Sequence, residues 1–72
     1  MTRVNAGLCV KNAQKELNIP NERMARDFSV HHQQVSRWRV NSDMHLSKLQ
    51  MFAEYFEMDL YEFLKLGEES NG

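Results

Sequence analysis

Apolar residues return every three or four positions along most of the chain, the spacing that places side chains on one face of a helix. Ala6, Val10, Ala13 and Leu17 form the first such series. Asn5 stands where an N-cap is wanted and Asn18 to Pro20 makes a stop, so a helix is predicted near 5–17, with Gly7 weakening only its first turn. Asn21 is the N-cap candidate of a second, short helix whose apolar side is Met24, Ala25 and Phe28. Ser29 and Val30 make a turn, and a third helix is expected over about 32–39, capped by His31 and closed at Asn41, a residue that tolerates left-handed backbone. After the polar connection Asn41, Ser42 and Asp43, the series Leu46, Leu49, Phe52, Ala53 and Phe56 predicts a fourth helix near 45–57. Leu60, Phe63 and Leu64 predict a short fifth one near 59–66. No segment alternates with period two. The expectation is one all-α domain over 1–66, with 67–72 (GEESNG) as a flexible tail.

The same periodicity assigns a core of Val10, Leu17, Ile19, Met24, Phe28, Val35, Trp38, Leu49, Phe52 and Phe56. At 72 residues the chain is near the lower limit for a domain held by one hydrophobic core. A single cysteine, Cys9, excludes a disulfide framework, and it reads as a small buried residue rather than a nucleophile. There is no long apolar run, secretory start or lipidation signature, so a cytoplasmic chain without membrane attachment is expected.

The third helix carries the chemistry. His32, Gln33, Ser36 and Arg37 are spaced i, i+1, i+4 and i+5 and share one face, with Gln34 alongside, while Val35 and Trp38 point to the other. Gln can grip adenine, and Arg guanine, with two hydrogen bonds in the DNA major groove. Net charge is −1, which is unfavourable for phosphate attraction. Its distribution reverses that impression: residues 1–40 hold seven Lys and Arg against three Asp and Glu, and residues 41–72 hold two against seven.

The run Met24, Ala25, Phe28, Ser29, Val30, Val35, Ser36 and Trp38 resembles the Leu-Ala, Leu-Gly-Val, Ile-Ser, Trp pattern of the Cro/CI (Xre-type) family of phage and bacterial repressors. The stretch LSKLQMFAEYFEMDLYEFL is similar to that family's fourth and fifth helices, so the resemblance covers about residues 5–66. It implies a five-helix, lambda-repressor-like DNA-binding domain with a helix-turn-helix. It places base reading on His32, Gln33 and Arg37, with Gln34 and Ser36 beside them, Gln33 and Arg37 being the strongest candidates for specificity. For His32, base contact and passive surface stay open. The resemblance puts phosphate contacts at Asn21 and in the connection from Asn41 through Ser42 to Met44; Arg23, Arg39 and Lys48 are charged candidates nearby. Two positions depart from the pattern. Ser29 stands where the turn usually has Gly, so left-handed backbone there carries a penalty of about 1 kcal/mol. Arg39 and Gln14 stand where the family often pairs Glu with Arg, so that ion pair is missing, and Arg39 is either free for DNA or held internally.

Met51, Tyr55, Met58 and Tyr61 lie off the main apolar stripe and form the expected surface of a homodimer on a pseudo-palindromic operator, whose half-sites lie about 34 Å apart. No Cys, His and carboxylate spacing fits a metal, and no catalytic constellation appears; neither enzyme activity, a cofactor nor a small-molecule substrate is expected. The expected function is a transcriptional repressor, Cro-like or a small autoregulator, since the chain is too short for the cleavable dimerisation domain of larger CI-type repressors. Two rivals stay open: an antitoxin of a toxin-antitoxin pair, against which the six-residue tail argues, and an interaction module or antirepressor that has lost DNA binding, which the acidic half supports.

Overall fold

The computed structural model describes residues 2–70. Five helices, α1 (Ala6–Leu17), α2 (Asn21–Phe28), α3 (His32–Val40), α4 (Leu46–Tyr55) and α5 (Leu60–Lys65), lie between two short strands, β1 (Thr2–Val4) and β2 (Glu68–Ser70). The mostly helical body matches the pattern of apolar positions. The strands were not foreseen: β1 pairs antiparallel with β2, Arg3 opposite Glu69. Three-residue segments are too short to show alternation. Residues 68–70 of the expected flexible tail are therefore strand; 71 and 72 lie outside the described residues. Asn5 ties this ribbon to the helices, its backbone N–H donating to Gly67 O at 2.8 Å and its Nδ2 to Glu69 Oε1 at 3.0 Å.

Three helix ends share one device. Asn18, Ser29 and Glu57 adopt φ of 56°, 56° and 57°, and the residue after each donates its N–H back to a carbonyl five positions earlier: Ile19 to Gln14, Val30 to Ala25, Met58 to Ala53. In each case the residue that follows the left-handed one is apolar and packs on the core. Chain reversal and burial are thus achieved together. Ser29 takes the left-handed backbone for which the sequence implied a penalty. Asn41 is not left-handed: at φ −85° and ψ 108° it is extended, and its Oδ1 accepts from Asp43 N at 3.2 Å.

Phe52, Phe63, Met24, Val10, Val35 and Cys9 are fully buried. Phe28, Trp38 and Phe52 meet edge to face, with centroid separations of 5.0 to 5.6 Å, the arrangement favoured by aromatic quadrupoles. Leu17, assigned to the core by periodicity, is 44% exposed. It sits at the last position of α1, and after the left-handed turn Ile19 packs against the core instead. Phe63, left out of that assignment, plugs the end where α5 meets α1 and α4. Burial pushes the Cys9 thiol up to about 11.

Gly7 was expected only to weaken a helix turn. It is buried where α1 crosses the end of α3, and a Cβ there would stand 2.5 Å from Arg39 O and 2.9 Å from Asn41 O. Ala6 N donates to Ser42 O at 3.1 Å in the same region. This backbone-to-backbone approach sets where α3 ends and where the connection to α4 begins.

Candidate nucleic-acid interface

α2 and α3 are joined by Ser29, Val30 and His31, and each end of that joint has a local cause. Ser29 closes α2 by its left-handed backbone. His31 opens α3 in the capping position its sequence place predicts: its Nδ1 accepts from Gln33 N at 3.3 Å. The His31 ring also packs against the His32 ring, with centroids 4.4 Å apart and planes 31° apart.

α3 separates into two faces. Val35 and Trp38 are buried in the core, Trp38 against Phe28 of α2 and Phe52 of α4, whereas His32, Gln33, Ser36 and Arg37 are exposed and Gln34 is half-buried. The side chains of Gln33, Ser36 and Arg37 make no hydrogen bond or ion pair among the described residues. A row of two-ended amide, hydroxyl and guanidinium groups, backed by immobilised Val35 and Trp38, is able to make hydrogen bonds to a partner's edges from a rigid support.

The expected phosphate residues divide. Asn41 and Ser42 are exposed in the α3–α4 connection. Lys48 is half-buried with its Nζ 5.2 Å from the centre of the Trp38 ring, a cation-π contact that leans it over the back of α3. Arg23 lies 4.0 Å from Asp27, whose carboxylate also accepts from Tyr55 OH at 2.6 Å. Asn21 is not an N-cap: that place belongs to Pro20, which has no side-chain donor or acceptor, and Asn21 is the first residue of α2. Proline there leaves the first N–H groups of α2 without a side-chain partner. Arg39 is not a free cation. Its Nη1 donates to Asn21 Oδ1 at 3.0 Å, and Gln14 Nε2 donates to the same oxygen at 2.9 Å. Gln14, in sequence only a departure from the family pattern, is thus the buried member of a polar network in which Asn21 and Arg39, 18 positions apart, meet directly.

The four residues of the expected dimer strip also divide. Met51 and Tyr61 are 39% and 67% exposed, and Lys65 Nζ lies 4.9 Å over the Tyr61 ring. Tyr55 and Met58 instead pack against the core, Tyr55 with its ring 4.7 Å from Phe28. Burial, aided by the hydrogen bond to Asp27, pushes the Tyr55 hydroxyl up to about 12. The Phe28 ring extends from the end of α2 to meet both Phe52 and Tyr55, so a residue off the main stripe of α4 still reaches it.

Among the described residues no group of three or more His, Cys, Asp and Glu side chains is placed to hold a metal ion, and no helix is long and apolar enough to cross a membrane. No family model, no curated protein and no solved structure matches this chain.

Proposed function

We propose that this chain is a sequence-specific double-stranded-DNA-binding repressor with a lambda-repressor-like helix-turn-helix, formed by α2 and α3, that acts as a homodimer on a pseudo-palindromic operator. One observation carries the reading: α3 exposes Gln33, Ser36 and Arg37 together while Val35 and Trp38 fix it from behind. That is the construction a helix needs to enter the major groove, because discrimination between bases demands hydrogen-bonding groups held on a rigid element. In this reading Gln33 pairs with an adenine and Arg37 with a guanine, His32, Gln34 and Ser36 line the groove beside them, and Asn21, Asn41, Ser42 and Lys48 meet phosphates. Repression follows from occupancy: a protein seated on a promoter operator excludes polymerase, and no cofactor takes part. Met51 and Tyr61, the exposed members of the apolar strip, are the dimer contacts it requires.

Selection from a random duplex pool, followed by titration at two salt concentrations, tests the proposal. A recovered half-site motif, with log K falling against log salt, is expected. Failure to enrich any sequence over random duplex refutes it.

A further inference from the structure

The network at the start of α2 has a polarity that its chemistry dictates. Gln14 is 5% exposed, and its Nε2 donates to the backbone carbonyl of Ile19 at 3.1 Å. A carbonyl only accepts, so the NH2 end of Gln14 must lie on that side. The same NH2 reaches Asn21 Oδ1 at 2.9 Å, and Arg39, which has no acceptor atom at all, reaches it at 3.0 Å. Two donors therefore converge on one oxygen, and Asn21 has only one orientation that satisfies both. Its Nδ2 is left facing away, without a hydrogen-bond partner among the described residues. Beside it stand the first N–H groups of α2, uncapped by Pro20, and Lys11, Lys15 and the acidic Glu22 line the same cleft.

We propose that Gln14 and Arg39 are positioning residues that lock the Asn21 side-chain amide with its NH2 outward, making it a dedicated donor to a phosphate group. A carboxylate at position 39 would accept from Asn21 Nδ2 and turn the amide over; arginine enforces the opposite orientation. The phosphate is that of a DNA backbone under the function proposed above, and the inference rests on that reading only for this source. A free phosphate would meet the same donors.

Asn21→Asp tests the lock because it keeps the shape and the inward oxygen while replacing the outward NH2 with an oxygen. The inward oxygen gains attraction to Arg39, so the melting temperature is expected to equal or exceed that of the parent. Affinity for every duplex is expected to fall about tenfold or more, whatever the sequence. A lower melting temperature, or undiminished duplex and phosphate binding, overturns the proposal. The positioning role is read separately by ¹⁵N-resolved NMR of the Asn21 side-chain amide during titration with inorganic phosphate. Its signals are expected to shift saturably in the parent and in Arg39→Lys, a donor-only replacement, and not in Arg39→Met; equal shifts in all three overturn the role of Arg39. Should the parent bind no duplex, the DNA reading fails, and the phosphate titration alone decides: a saturable shift sustains the site with a free phosphate as its ligand, and no shift ends it.

Discussion

Gly7→Ala separates two physical effects of opposite sign. In an exposed helix the change stabilises by up to about 1 kcal/mol, because Ala is the better helix former, and less in the first turn where Gly7 sits. Here the added Cβ would lie 2.5 Å from Arg39 O and 2.7 Å from Arg39 C, both backbone atoms, where ordinary contact begins near 3.4 Å. Restoring contact requires α1 and the end of α3 to separate by about 0.9 Å. No flexible side chain is available to yield. Forced expansion of a packed interior costs about 1–3 kcal/mol, so the net effect is a loss of about 1–2 kcal/mol. For a domain of this size, thermal denaturation followed by circular dichroism should show the midpoint falling by about 4–15 °C. Amide resonances of residues 39 to 42 should shift, since these carry the displaced backbone. A variant that melts above the parent, with those resonances unmoved, would show that helix propensity alone operates at Gly7 and that the close approach of α1 to α3 is not made.

Ser29→Gly should stabilise by about 0.5–1 kcal/mol, the relief of left-handed strain at φ 56° outweighing the extra freedom of Gly in the unfolded chain; chemical denaturation checks the sign. Arg37→Ala should weaken the preferred duplex by about 1–3 kcal/mol and relax one base position, measured by repeated selection and competition, whereas equal loss on all sequences would reassign Arg37 to a phosphate. Stability should decline in alkali. Tyr55 and Cys9 hold their protons in the folded state up to about 12 and about 11, against ordinary values of 10.0 and 9.0, so their contribution is complete below about pH 9 and is lost as pH rises through the folded values. Tyr55→Phe should be less stable at neutral pH, through loss of the bond to Asp27, yet should lose less on going from about pH 10 to about pH 12, because Phe has no proton to release there. Urea denaturation across that range decides, and parallel declines in both proteins would exclude the tyrosine.

The five helices, their order and the two-faced character of α3 were legible in the sequence because all three are local. Apolar spacing of three to four residues announces a helix wherever its core lies, and the exposure of Gln33 and Arg37 follows from the burial of Val35 and Trp38 on the same turns. The stops after α1, at Asn18 to Pro20, and after α2, at Ser29 and Val30, were legible for the same reason, whereas the left-handed backbone of Asn18 and Glu57 was not. Contacts between distant segments carry no such periodic mark. That Gly7 admits the end of α3, that Tyr55 reaches Phe28 rather than solvent, and that β1 finds β2 across the length of the chain depend on how the helices cross. The same holds for Arg39. Its sequence position showed only that the expected ion pair was absent, and the fold decided that its charge is turned inward to Asn21, because α1, α2 and the end of α3 converge there around the buried amide of Gln14.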